Sequence, residues 1–155
     1  MSKKAFVPHV VAVTVGTSVR FPNSDPILHN VFSVSGDNAF DLGLYPEGPG
    51  KAATFHSAGL VRVFCNVHQT MVAYVLVLDT PYFVAPAADG SFALEGVPET
   101  DGLLVVWHAR AEPWSLELHP GATEPLVIHL ALTKPLVPAH NDKHGKPYEG
   151  TGSDA

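Results

Sequence analysis

The chain has 155 residues, of which 46% are hydrophobic and 15% charged, enough for the core of one ordinary domain or of two very small ones. Acidic residues (15) outnumber Lys and Arg (9), and the net charge of −6 disfavours a nucleic-acid interface, which needs clustered positive charge. A single cysteine excludes an intramolecular disulfide, and no stretch reaches the apolar length of a membrane span.

The first half of the sequence predicts an all-β fold. Short runs rich in Val, Phe and Tyr alternate with turn residues, and no amphipathic helix pattern interrupts them. Residues 9–16 and 18–24 are predicted to form a strand pair around a tight turn at Gly16-Thr17. The further strand predictions are residues 29–35, 40–46, 52–59, 60–66 and 71–79. Strands of this length and spacing favour a β-sandwich.

A second, small β unit is predicted over residues 80–134. Its candidate strands are residues 81–87, 91–97, 103–109, 113–119 and 126–132, and Asp89-Gly90 is a hairpin turn signal between the first two. A unit of this size is too small to stand alone as a sandwich, so we expect it to pack on the first. Residues 135–155 are polar and rich in Gly and Pro, which predicts a flexible tail. The histidines of that tail, His140 and His144, are interpreted as incidental.

The stretch FCNVHQTM, residues 64–71, holds the only cysteine of the chain. Cys65 and His68 lie where one predicted strand ends, and Met71 lies where the next begins, so the three side chains can converge across a short loop. Thiolate, imidazole and thioether are ligands that select copper, above all copper that cycles between Cu(I) and Cu(II). A blue-copper site needs a second imidazole, and His29 begins a strand at the same end of the predicted sandwich.

These motifs resemble those of a known family. His29-Asn30-Val31 followed by Cys65-x-x-His68-x-x-Met71 is similar to the cupredoxins, the small type 1 blue copper proteins, with a loop of the amicyanin and plastocyanin type. The resemblance covers roughly residues 5–79. It implies a Greek-key sandwich and one copper ion held by His29, Cys65, His68 and Met71.

The same resemblance implies roles for neighbouring residues. Asn30 would hydrogen-bond the cysteine-bearing loop and hold the two ligand segments together. His68 would be the partly exposed ligand through which electrons leave. The expected docking patch around it consists of Pro26, Ile27, Leu28 and Val67. In the second unit, ADGSFALEGVP and VVWH resemble a shortened transthyretin-like or carboxypeptidase-regulatory-like module.

Electron transfer between redox protein partners is the leading functional hypothesis. No enzymatic activity is expected, because the sequence lacks the His-x-His pairs of multicopper oxidases. A periplasmic copper carrier or reservoir with the same ligands is the alternative. Two further hypotheses stay open. One is a structural β-module with a vestigial site, and the other is a zinc site, although closed zinc sites rarely use Met. The family is normally exported, so we expect a periplasmic protein, although the N-terminus shows no signal peptide.

Overall fold

The structure is a computed structural model that describes residues 1–121 and 125–148. The chain divides into two compact units: Met1–Pro81 with the segment that begins at Ala139, and Tyr82–Pro138. The strands of the first unit are β1 Val10–Thr14, β2 Ser18–Asn23, β3 His29–Ser33, β4 Phe40–Tyr45, β5 Gly48–Thr54, β6 Gly59–Phe64 and β7 Val72–Leu78. A 3-10 turn at Gly36–Asn38 is the only helical element among the described residues.

Two sheets make up the first unit. The larger has the strand order β1-β7-β6-β3-β4, with β1 parallel to β7, and the smaller is the antiparallel pair β2-β5. The predicted pairing of residues 9–16 with 18–24 is wrong, because β1 and β2 lie in different sheets. Gly16 donates its N–H to the Phe55 carbonyl (2.7 Å), and Phe55 donates to the carbonyl of Thr17 (3.0 Å). The turn between β1 and β2 is therefore a corner that leads from one sheet to the other.

Apolar side chains of both sheets form one buried core. Val61 and Val63 of β6 are at most 1% exposed, and they share a cluster with Phe21 of β2 and Ala53 of β5. Residues that alternate with them on β6, such as Arg62, face away from this core. Two sheets packed through their inner faces form a sandwich, so the predicted all-β sandwich is confirmed.

The outer face of the larger sheet carries two neighbouring aromatic residues. Phe32 of β3 and Phe64 of β6 stand opposite one another in the ladder, and they are 1% and 3% exposed. The imidazole of His140 stacks on Phe64 at a centroid distance of 4.1 Å. The segment over residues 139–148 thus packs on this sheet, whereas the sequence predicted a flexible tail from residue 135. Covering one face of the Phe64 ring stabilises this arrangement.

The second unit contains the antiparallel strands β8 Gly102–Val106 and β9 Trp114–Leu118. The predicted turn at Asp89-Gly90 is present, because Ser91 accepts a hydrogen bond from the Ala87 N–H (2.8 Å). The segments on either side of this turn, residues 81–87 and 91–97, are predicted as strands but form no strand in the structure. Residues 126–132, also predicted as a strand, form none either. Pro86 removes a ladder donor directly before the turn. No helix among the described residues is long and apolar enough to cross a membrane.

Candidate metal centre

Strand register brings the predicted ligands together at one end of the first unit. Phe32 of β3 pairs with Phe64 of β6, so continuing this antiparallel register carries Cys65 toward the start of β3, where His29 is the first residue. On the other side, Phe64 pairs with Val72 of β7, and the same register places Met71 opposite Cys65. The ladder pairs therefore hold the residues next to them, which carry the predicted ligand side chains, close to one another.

Three donor atoms of this group lie close together and could hold a metal ion. The Cys65 Sγ is 3.9 Å from Nδ1 of His29 and 3.7 Å from Nδ1 of His68, and all three atoms lie within 4.8 Å of one another. Metal–nitrogen bonds of about 2.0 Å and metal–sulfur bonds of about 2.3 Å at trigonal angles separate nitrogen from sulfur by about 3.7 Å. The two sulfur–nitrogen distances match that value, so the thiolate and each imidazole are spaced as two ligands of one metal ion would be.

His29 is held in the orientation that such a site requires. Its ring is fully buried, and Nε2 lies 2.9 Å from a carboxylate oxygen of Asp25. A carboxylate can only accept here, so Nε2 carries the proton and Nδ1 presents its lone pair toward Cys65. A carboxylate that fixes the ring and tautomer of a ligating imidazole is a common support of metal sites.

Asp25 is itself held in place by the N-terminal residues. Its carboxylate accepts hydrogen bonds from the backbone N–H of Lys3 (2.6 Å) and of Lys4 (2.9 Å). The hydrogen bond from Lys4 and then that from His29 lower the pKa of Asp25 from 3.8 to about 2. The group is thus a carboxylate at neutral pH. Sequence reasoning missed this residue, and its position four residues before His29 in an Asp-Pro turn was the signal available.

His68 lies at the edge of the site and is partly exposed. Its ring is tilted against that of His29, with centroids 4.8 Å apart. Burial, and then the neighbouring His29, lower the pKa of His68 below its ordinary value of 6.5. A lowered pKa favours the neutral imidazole, which is the form that binds a metal.

Met71 closes the ligand loop. Its side chain is 1% exposed and belongs to the same buried cluster as Cys65, and its backbone N–H donates to the carbonyl of His68 (3.0 Å). The four side chains are therefore positioned as a copper site, in which thiolate and thioether favour copper over harder ions. That Met71 is the axial ligand stays a prediction.

Asn30 joins the two ligand segments through its side chain. Its Oδ1 accepts from the backbone N–H of Asn66, directly after Cys65, at 3.2 Å. Its Nδ2 donates to Asp41 of β4 at 2.7 Å. The role that the resemblance implied for Asn30 thus has the contacts it needs, with Asp41 as a partner that the sequence did not indicate.

The residues of the predicted docking patch are all exposed in the structure. Ile27 and Leu28 immediately precede His29, and Val67 immediately precedes His68. Pro26 lies beside them on the same loop and is also exposed. Their role in binding a partner stays a prediction.

Comparison with known proteins gives matches among solved structures. No family model matches the chain, and no curated protein matches it. A reduced amicyanin with a Trp-to-Tyr substitution has 26% identity and a TM-score of 0.47, covering 50% of this chain and 77% of that one. A Pro-to-Gly amicyanin variant in its reduced Cu(I) form at pH 4 gives 26% identity, a TM-score of 0.47 and coverages of 50% and 77%. The chain resembles amicyanin structures.

A purple cupredoxin from Nitrosopumilus maritimus also matches the chain. It has 23% identity and a TM-score of 0.44, covering 50% of this chain and 86% of that one. The similarity of the second unit to a transthyretin-like module stays a prediction.

Proposed function

We propose that this chain is a type 1 copper protein that carries single electrons between redox protein partners. The observation that supports this most is the spacing of the Cys65 sulfur from the two imidazole nitrogens, 3.9 and 3.7 Å. Copper, when bound, supplies a one-electron couple between Cu(II) and Cu(I). We further propose that the protein acts in the periplasm and has no enzymatic activity of its own.

The residues around the site suit a carrier of electrons. Cys65 and His29 are fully buried, so the surrounding sandwich excludes water and restrains both ligands. Asp25 fixes the His29 ring, and Asn30 fixes the backbone after Cys65. Restrained ligands change position little between the two oxidation states, which lowers the barrier to transfer. His68 is the ligand nearest to solvent and offers the path along which an electron leaves.

The apolar loop residues before His29 and the neighbouring Val67 suit the docking of a partner. Ile27 is 37% exposed, Leu28 51% and Val67 48%, close to the two imidazoles. Apolar side chains exposed together mark interaction surfaces more often than ordinary solvated surface does. We propose that the redox partner docks here, over His68.

Titration of the metal-free protein with Cu(II) tests the proposal. We expect one copper ion per chain and an intense thiolate-to-copper absorption band near the red end of the visible spectrum. Cys65→Ser should remove the band and leave the far-UV circular dichroism unchanged, because the core is built from valine and phenylalanine strands. A coloured Cys65→Ser protein would sink the assignment, as would a wild-type protein that takes up Zn²⁺ but gives no band with Cu(II).

The copper-loaded protein also allows the two functions, electron carrier and copper carrier, to be distinguished. An electron carrier should show a reversible couple in voltammetry and keep its copper when mixed with a competing metal-free protein. Rapid loss of copper to that competitor would favour delivery of the metal.

A further inference from the structure

The segment over residues 139–148 touches the metal centre at its cysteine. This segment belongs to the first unit although the whole second unit separates it from that unit along the chain. The Tyr148 hydroxyl donates to the backbone carbonyl of Cys65 at 3.0 Å. A tyrosine hydroxyl donates its proton readily to a backbone carbonyl. The residue that offers the thiolate is therefore held through its own peptide group.

Aromatic contacts fix the tyrosine in this position. The His140 ring lies flat on Phe64, at a centroid distance of 4.1 Å and an interplanar angle of 12°. The Tyr148 ring meets His140 edge-on, at 5.4 Å and 75°. Phe64 is the residue before Cys65, so the packing and the hydrogen bond act on adjacent residues of the same strand end.

A closed ring of hydrogen bonds connects the segment to both ligand-bearing strands. The backbone N–H of Lys143 donates to Oδ1 of Asn66 (2.9 Å), and its ammonium donates to Asp41 (2.7 Å). Asp41 accepts from Asn30 (2.7 Å), and Asn30 accepts from the backbone of Asn66 (3.2 Å). Asn30 follows His29 and Asn66 follows Cys65, so the ring joins the neighbours of two ligands.

Hydrogen bonds within the segment restrain its turn. Its turn is closed by the Asp142 N–H donating to the Lys146 carbonyl (2.8 Å) and by the Gly145 N–H donating to the Asp142 carbonyl (3.0 Å). The Asp142 carboxylate accepts from the backbone of His144 (2.9 Å) and of Lys146 (2.8 Å). A turn whose polar groups are satisfied internally loses little further entropy when it packs on the sheet.

We propose that residues 139–148 are a clasp on the ligand loop, in which Tyr148 and Lys143 are positioning residues for Cys65. The inference rests on the proposed copper function for its purpose, although the clasp itself acts on the metal-free loop as well. The clasp holds the peptide of Cys65 against movement toward solvent and ties the loop to the strand of His29. Its effect is to keep the thiolate at a fixed distance from the imidazoles in both oxidation states.

The reactivity of the Cys65 thiol in the metal-free protein is the first test. Tyr148→Phe removes one hydroxyl and keeps the ring that packs on His140. Loss of one ordinary hydrogen bond should raise the population of the open loop, and with it the rate of reaction with Ellman's reagent, about fivefold. The matched control is Tyr82→Phe, the same change in the second unit, and it should react at the wild-type rate.

Lys143→Met supplies an independent variant, because it removes the contact with Asp41 through a side chain at the protein surface. It should accelerate the thiol reaction in the same direction. After loading with Cu(II), both clasp variants should shift the wavelength or intensity of the thiolate-to-copper band, and Tyr82→Phe should not. Wild-type thiol reactivity together with a wild-type band in both clasp variants would overturn the clasp.

The two proposals fail in different ways. A wild-type protein without the copper band overturns the proposed function, and a faster thiol reaction in the clasp variants still supports the clasp. A normal wild-type band with no response in either variant leaves the copper function standing and overturns the clasp. A variant that does not fold is recognised by far-UV circular dichroism, and the other variant then decides.

Discussion

Asp25 is the carboxylate that holds the His29 ring in place. Its carboxylate accepts from His29 and from the backbone of Lys3 and Lys4. Asn at this position has one acceptor oxygen and cannot serve all three donors. Asp25→Asn should therefore weaken copper binding about 10- to 100-fold, the usual effect of losing such a partner. Competition with a chelator measures this, and the exposed carboxylate Asp37, changed to Asn, should bind copper as the wild type does.

Asp25→Asn also tests how the stability of the metal-free protein depends on pH. The pKa of Asp25 is lowered by the hydrogen bonds from Lys4 and His29, from 3.8 to about 2. Because the folded-state pKa is the lower one, the stabilisation is present above pH ~4 and is lost as the pH falls toward 2. Urea denaturation between pH 5 and pH 2 should show a steeper loss of stability in the wild type than in Asp25→Asn. Parallel curves would contradict the contribution of this carboxylate.

Met71 decides whether the site has a thioether as its fourth ligand. Met71→Leu keeps an apolar side chain of similar volume in the core and removes the sulfur. The copper band should remain, and the reduction potential should rise, because losing a weak donor disfavours Cu(II) more than Cu(I). The rise amounts to about 40 mV for each kcal/mol of lost Cu(II) stabilisation. A potential equal to that of the wild type in voltammetry would show that Met71 is not axial.

At the scale of elements, the approach of β5 to β2 depends on one glycine. Gly50 has φ +67°, and a Cβ there would lie 1.9 Å from the carbonyl oxygen of Phe21. Gly50→Ala should lower the free energy of unfolding by ~1–2 kcal/mol for the left-handed backbone and by ~1–3 kcal/mol more for the clash. Gly16→Ala is the matched control, since Gly16 has φ +88° and nothing within 4 Å of a built Cβ. Urea denaturation giving equal losses for the two variants would count against the close approach.

The short ladder between β3 and β6 explains why two further side-chain contacts restrain the cysteine-bearing loop. One pairing, Phe32 with Phe64, sets the register of the strand ends that carry His29 and Cys65. Beyond that pair β3 continues beside β4, whereas the chain after Phe64 leaves the ladder, and side-chain contacts then tie the Cys65 loop to β3. Asn30 supplies one of them from within the sandwich, and Tyr148 supplies another from a distant part of the chain.

At the scale of the whole molecule, the ligands and the clasp share one unit. Replacing residues 82–138 by a flexible Gly/Ser linker should leave the copper band unchanged, because the first unit contains every proposed ligand and positioning residue. Truncation after Pro81 should instead shift the band and accelerate the thiol reaction, because it removes the clasp as well. Loss of the band in a folded linker variant would assign the second unit a part in the site.

Residue types and their spacing in the sequence determined the chemistry of the site. A thiolate, an imidazole and a thioether at three-residue intervals predict a soft-metal loop, because donors so close in sequence meet across a tight turn whatever surrounds them. The all-β class followed in the same way from local alternation of apolar and polar residues. His29 could be predicted as a ligand because it begins a predicted strand.

Contacts between distant residues were decided by the tertiary structure alone. Gly16-Thr17 has the same local signals as a hairpin turn, and its role as a corner depends on Phe55, far along the chain. The polar composition of residues 139–148 predicts a tail, whereas the pairing of Phe32 with Phe64 creates the apolar surface that His140 covers. Sequence patterns report the conformation that a segment prefers by itself. The restraint that Tyr148 places on Cys65 depends on strand register, which is fixed only when the two sheets pack.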